Sequence, residues 1–352
     1  MTWLTAHWDR FTPVSALLSP LSLLFRGVVA TRRTAYAAAI MPVHRLAVPV
    51  IVVGNVSAGG TGKTPAVLWL AQHLRASGYR PGIVSRGYGG TQTAPRRVTP
   101  DSDPHACGDE PVLLARRGGC EVWTGVDRAA AGAALLAADP ACDVLLSDDG
   151  LQHYGLGRDV EICVVDAARG LGNRWLLPAG PLREPPSRLA TVDAIVVNGA
   201  PEEPVAIEIR QASGESVPRF RMALEGFEFH NLVNRCHRIG PELMRGRRLH
   251  AVAGIGNPAR FFRHLQSLGL DFVAHPFPDH HPYSAADIAY PDADAIVMTE
   301  KDAVKCQAFA ADTHWKLPVD AVIDDRFGDL VLQRLEKVKR EVKHRQAQAN
   351  RG

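Results

Sequence analysis

The sequence predicts an α/β protein: a doubly wound sheet, a second and smaller α/β unit joined to it by a two-stranded β ribbon, and an amphipathic helix ahead of both. Three observations carry this reading. Short apolar runs at residues 50–53, 80–84, 143–147, 161–166 and 193–197 are separated by helical or loop stretches, as strands of an open sheet are. Between them and the C-terminal third, Val205, Ile207 and Ile209, then Phe220, Met222 and Leu224, alternate with polar residues around SGESVP, which reads as an antiparallel ribbon. Beyond 248 the alternation of strand and helix resumes, with a helix over 258–268, a strand over 272–275, a helix near 284–289 and a strand over 295–299. The expected divisions are therefore 1–43, 44–200, 201–230, 231–326 and a basic helix and tail over 327–352.

In the first segment, Val14, Leu17, Leu18, Leu21, Leu24, Phe25 and Val28 recur at helical spacing, with Pro20 inside the run. Arg26 interrupts the apolar stretch, so the helix is expected to lie along an interface rather than cross a bilayer. Arg10, Arg26, Arg32 and Arg33 would then sit near anionic headgroups; the competing reading packs the apolar stripe on the protein's own core.

The chain has 352 residues, of which 22% are charged and 46% apolar, enough to bury two cores and too apolar for disorder. Its net charge of +3 is uneven, because residues 1–49 carry +4 and residues 332–352 carry +5, leaving −6 for the body. Basic ends on an acidic body point to an anionic membrane surface and away from nucleic acid bound across a face. Six cysteines without a C-x-x-C pair form neither a zinc site nor a disulfide framework.

The chemistry begins at VIVVGNVSAGGTGKT, an apolar strand running into a small-residue loop and then a helix. Glycines let backbone N–H groups turn toward phosphate oxygens, a lysine reaches the outer phosphates, and a hydroxyl ligates Mg²⁺. Ser57, Ala58, Gly59, Gly60, Thr61, Gly62, Lys63 and Thr64 supply these parts, with serine where the usual pattern has its first glycine. The sheet is thus P-loop NTPase-like. The run at 143–147 ends in Asp148-Asp149-Gly150, an apolar strand closing in acid as a Mg²⁺-holding carboxylate requires, and either aspartate could be the direct ligand. No N-K-x-D tetrapeptide is present, which favours ATP over GTP.

These motifs alone do not separate a kinase from an ATPase. A kinase needs a base beside an acceptor hydroxyl, and Asp109, His280 and His153 are the candidates. Arg86 and Tyr88 stand in a glycine loop at a strand's C-terminal end, where open sheets bind ligands. Gly254-Ile255-Gly256-Asn257-Pro258-Ala259 imitates a dinucleotide fingerprint but lacks the acid that closes the next strand. Asp279-His280-His281 has no partner cluster for a metal, and Thr299-Glu300-Lys301-Asp302 is equally ambiguous.

In order along the chain, VPVIVVGNVSAGGTGKTP, VSRGYGG, GDEPVLL, DDGLQHYGLGRDVEI, LPAGPLREP, PDHH and MTEKDAVKC together resemble the tetraacyldisaccharide 4′-kinase family of lipid A biosynthesis, over about residues 12–325. Serine at 57 belongs to that family's own pattern. The resemblance implies transfer of the ATP γ-phosphate, with Mg²⁺, to the 4′-hydroxyl of a tetraacylated glucosamine disaccharide 1-phosphate, giving lipid IVA at the cytoplasmic face of the inner membrane. A monomer is expected. Carried over by motif, it implies Asp109 as catalytic base with His280 as dyad partner and Glu110 assisting. It also implies Thr64, Asp148, Asp149, Gln152 and Glu184 for metal and closing contacts; Arg86, Arg128, His153 and Arg183 are our candidates for contacts with substrate phosphate and sugar. A P-loop ATPase or metallochaperone, or a nucleotide-gated membrane adaptor, would explain the loop but not the ordered set.

Overall fold

The computed structural model describes residues 6–349, with side chains described to residue 341. A long helix α1 (Pro13–Ala37) leads into β1 (Val50–Gly54), α2 (Lys63–Ala76), β2 (Pro81–Ser85), β3 (Arg96–Val98), α3 (Pro104–Cys107), α4 (Asp109–Arg117) and β4 (Val122–Thr124). The same layer continues through α5 (Arg128–Ala138), β5 (Val144–Asp148), β6 (Val160–Asp166), β7 (Ala194–Asn198), α6 (Glu203–Ser213) and β8 (Arg219–Glu225). The second unit holds β9 (Phe229–Asn231), β10 (Arg238–Ile239), β11 (Leu249–Ala253), α7 (Pro258–Ser267), β12 (Phe272–Pro276), β13 (Ala295–Thr299), α8 (Glu300–Cys306) and β14 (His314–Leu317). The described chain ends with β15 (Asp320–Ile323) and α9 (Asp325–Ala349).

The large sheet runs β15-β8-β7-β6-β1-β5-β2-β4-β3 and is parallel from β8 to β4. β1 lies inside it with all five residues buried, as a strand covered by helices on both faces must be. On one face Ile51, Val53, Leu70, Leu74 and Leu114 pack with Phe327, Val331 and Leu335 of α9. On the other, Val50, Val52, Leu135 and Ile209 pack together, with Phe25 and Val29 of α1 against them. The smaller sheet runs β10-β9-β14-β13-β11-β12, parallel over β14, β13, β11 and β12.

The ribbon expected between 205 and 224 is not formed as predicted. Residues 203–213 are helical: Val205, Ile209 and Ala212 follow the i, i+4, i+7 spacing and reach the core, while Ile207 is left exposed. The alternation fitted both periods, and burial on the sheet selected the helical one. β8 instead pairs with β15, antiparallel from Met222↔Ile323 to Glu225↔Asp320. Both crossings between the units leave from this one pair, so 203–225 and 320–349 belong with the large sheet rather than with a linker or a separate tail. The basic residues beyond 341 lie outside the described side chains.

The face of α1 also differs from a core helix. Its inward positions include Ser15 and Ser22, and the Ser22 hydroxyl donates to the Leu176 carbonyl at 2.7 Å. Leu17, Leu21, Leu23, Leu24 and Val28 are exposed. Leu17, Leu21, Leu24 and Val28 of the apolar stripe therefore face away from the protein while Phe25 packs on it, and at 25 residues the helix is longer than the sequence predicted and long enough to cross a bilayer by length and composition.

Because Leu335 is fully buried in the core of the large sheet, Leu335→Ala is expected to lower stability by about 2–5 kcal/mol, read as a reduced urea midpoint. A midpoint unchanged from the parent would mean that α9 is not part of this core.

Candidate active site

The strand-to-helix loop after β1 is held from two sides. The Asn198 side-chain amide, at the end of β7, donates to the Thr61 carbonyl at 2.9 Å, and the Ala58 N–H donates to the Pro181 carbonyl at 2.7 Å. Ser57 bridges to Leu182, and Arg183 N–H donates to the Val56 carbonyl at 2.7 Å. Gly62, at φ 97°, turns the chain into α2 in a conformation that strongly favours glycine, and a Cβ there would overlap the Asn198 amide. Lys63 and Thr64 form the first turn of α2, whose N-terminus adds positive potential toward an anion.

β5 delivers Asp148, and the next residue, Asp149, turns sharply at φ 48°. The two aspartates have opposite environments. Asp148 is fully enclosed; burial first, then Glu110 and Asp149, push its carboxyl up to about 7. One Asp148 oxygen accepts from the Ser85 hydroxyl at 3.2 Å, and the other has no hydrogen-bond partner. Burial would also raise Asp149, but Lys63 at 3.5 Å and Arg183 at 3.0 Å hold it well below the usual carboxylate range. Thr61 Oγ1, Asn55 Oδ1 and Ser147 Oγ are likewise buried without partners. Such unpartnered oxygens around a phosphate-type loop fit a nucleotide and a hard cation. Among the described residues no three His, Cys, Asp or Glu groups cluster as a metal site.

Gln152 and Glu184 meet each other. The Gln152 amide donates to Glu184 at 3.0 Å and to the Asn55 carbonyl at 2.9 Å. Glu184, 1% exposed, also accepts from the Tyr154 hydroxyl at 2.6 Å and pairs with Arg188 at 3.4 Å. Arg128 is buried and donates to the Asp149 carbonyl at 2.9 Å. His153 is lowered to about 4 by burial and by Arg128, so it is a neutral imidazole at pH 7. Arg86 is exposed on the loop after β2.

The second unit closes over this edge. Gly108, at φ 89°, sets the start of α4 and so the place of Asp109. Opposite it, His280 takes φ 60° in the turn after β12, where His281 N–H donates to the Pro278 carbonyl at 3.1 Å. A left-handed histidine costs roughly 1–2 kcal/mol, the kind of strain that collects at functional sites. The imidazole Nδ1 lies 3.2 Å from Asp109 Oδ2, joining residues 171 positions apart. Burial acts to raise Asp109, yet the hydrogen bond with His280 and the charges of Lys301 and Lys305 bring it to about 2. Lys301 Nζ donates to Glu110 Oε1 at 3.0 Å and to Asp279 Oδ1 at 3.2 Å. The Tyr88 ring lies 4.9 Å from the His280 ring.

The glycine motif at 254–259 has its use here. Gly256 backs onto Gly60 so closely that a Cβ would overlap the Gly60 amide nitrogen. Arg169 donates to the Gly256 carbonyl at 2.8 Å, and Arg260 pairs with the buried Asp166 at 2.8 Å. Lys301, Lys305 and Arg169 were not among the predicted site residues. For Lys301 and Lys305 the available signal was the MTEKDAVKC stretch.

The profile of the family described as Tetraacyldisaccharide-1-P 4'-kinase matches residues 14–336. The tetraacyldisaccharide 4'-kinase of Nitrosococcus oceani is 50% identical over 332 residues, covering 94% of each chain. That of Azoarcus sp. is 50% identical over 332 residues, covering 94% of this chain and 95% of the other. The crystal structure of LpxK from Aquifex aeolicus in complex with ATP superposes with a TM-score of 0.76 at 28% identity, covering 92% of this chain and 99% of that one. With sequence and fold agreeing over nearly their whole lengths, the chain belongs to the tetraacyldisaccharide-1-P 4'-kinase family.

Proposed function

We propose that the cleft between the two units transfers the γ-phosphoryl group of ATP to the 4′-hydroxyl of a tetraacyldisaccharide 1-phosphate, the step that yields lipid IVA. The observation that supports the residue assignment is the 3.2 Å contact between Asp109 and His280, which joins a carboxylate and an imidazole from different units. The acceptor oxygen forms its bond to the γ-phosphorus, the bond to the β,γ-bridging oxygen breaks, and ADP leaves. Asp109, supported by His280, takes the hydroxyl proton, and Glu110 holds the lysine beside them.

The amides of residues 57–62 and the Lys63 ammonium bind the phosphates in this reading. Mg²⁺ would be held by Thr64 and Asp148, whose free oxygen has no other partner, and would neutralise charge on the phosphates. Asp149 then holds Lys63 and Arg183 in place, and Gln152 with Glu184 braces the loop at 176–184 against the P-loop instead of meeting the cation directly. Arg86, Arg128, His153 and Arg183 face the substrate's phosphate and sugar.

The exposed leucines of α1 are read as the membrane-facing surface, with Arg10, Arg26 and Arg32 toward anionic headgroups at the cytoplasmic face of the inner membrane. Burying each leucine or valine side chain there is worth about 1.5–3 kcal/mol.

Purified protein with Mg²⁺ and ATP labelled in the γ-phosphate is expected to label tetraacyldisaccharide 1-phosphate in mixed micelles; lipid-independent phosphate release with no labelled lipid would overturn the reading. Asp109→Ala should lower kcat by roughly 10²–10⁴-fold with ATP affinity within a few-fold of the parent, and a large loss of ATP affinity would argue against its role as base. Replacing Leu17, Leu21 and Leu24 with Gln should reduce co-sedimentation with phosphatidylglycerol vesicles while leaving the melting temperature in place. Undiminished sedimentation would remove α1 as the docking face.

A further inference from the structure

Lys301 lies inside the dyad rather than at its edge. Its ammonium, carried in the first turn of α8, is 3.4 Å from His280 Nε2 and 4.0 Å from Asp109 Oδ2, and it donates to Glu110 and Asp279. The side chain is only 16% exposed, and although burial disfavours its charge, Glu110, Asp109 and Asp279 more than restore it, so it is an ammonium at every working pH. An ammonium has only donors. In the neutral ring His280 Nε2 is therefore the acceptor in this contact, and the single ring proton sits on Nδ1, toward Asp109. Asp109, held to about 2, is ionised and can only accept. From these contacts we infer that Lys301 is a positioning residue for phosphoryl transfer, fixing the ring orientation and the Nδ1–H tautomer of His280 so that Asp109 stays the free, proton-accepting carboxylate.

The charges facing the imidazole come from every side of the cleft. Asp109 and Glu110 lie on α4, Lys301 and Lys305 on α8, and Asp279 on the histidine's own turn, with the uncharged Tyr88 ring against its face. Burial and Lys301 oppose the imidazolium; Asp109 and Asp279 favour it and prevail, leaving His280 above the ordinary histidine value. Lys301 is the nearest cation holding that balance back. Lys305, 3.8 Å from Asp109 and 3.1 Å from Asp302, does not reach the ring within the same distance and cannot set its tautomer.

This inference rests on the assignment of Asp109 and His280 as the base, and its test separates the two. Removing the ammonium lets both His280 and Asp109 hold a proton to higher pH. Lys301→Met should therefore move the acidic limb of the kcat/KM profile upward by about one pH unit and lower kcat roughly tenfold to a hundredfold, with KM for ATP little changed. Lys301→Arg, which keeps the charge, should restore the position of the limb. In ¹⁵N-histidine spectra of the unaltered full chain at pH 8.5, His280 should show a protonated Nδ1 and a bare Nε2, a reading that needs no variant to fold. A protonated Nε2 there, or an unmoved acidic limb in Lys301→Met, would overturn the role of Lys301. If Asp109→Asn retained parental kcat, the dyad assignment itself would fail, and the inference with it.

Discussion

The arrangement proposed for catalysis turns on one contact, the hydrogen bond between Asp109 of the large unit and His280 of the small one. Neither residue is held by its own neighbours alone. Asp109 is set by a glycine with positive φ at the start of α4, and His280 by a turn that places a histidine in the left-handed region. The contact exists because the chain leaves the large sheet at β8 and re-enters it at β15, so both crossings are fixed by one antiparallel pair at the sheet edge. α9 then returns to the large core through Phe327, Val331 and Leu335, anchoring the second crossing far from the chemistry.

The electrostatics follow from crowding carboxylates at that junction. Asp109, Glu110, Asp148 and Asp149 converge from α4 and β5, and they differ because their partners differ. Asp149 has Lys63 and Arg183 and is ionised; Asp148, fully buried beside a serine hydroxyl and two acids, is pushed up to about 7. Asp109 is held low by groups from the second unit. The contact between the units thus supplies the cations that keep Asp109 charged. On the far side, α1 docks through Ser22 onto the Leu176 carbonyl, and the 176–184 segment continues to the P-loop through Pro181 and Arg183. The helix with the exposed apolar face is therefore joined by a short, hydrogen-bonded path to the nucleotide loop.

The parts legible in the sequence were those whose signal is contiguous. The P-loop, the strand ending in Asp148 and the parallel strands at 160–166 and 194–198 each declare themselves within a few residues, because buried parallel strands are continuously apolar and phosphate loops are glycine-rich. Residues 205–209 were misassigned because an alternating triplet also satisfies i, i+4, and only the presence of the sheet beneath decides. Strands β3, β4, β9 and β10 are two or three residues long and carry too little pattern to be seen. Lys301 was in view as part of a motif, but its role depends on a fold that sets it against residues 191 positions away, which no local spacing encodes. The outward direction of the α1 stripe was open for the same reason, since periodicity gives a face and not what lies against it.

The central claim is that Asp109 and His280 act as one unit across the cleft. A double-mutant cycle on kcat with Asp109→Asn, His280→Asn and the pair tests it most directly. The account predicts strong non-additivity, with the double variant about as slow as the slower single one. Losses that simply multiply would mean that the two residues act independently and would contradict it.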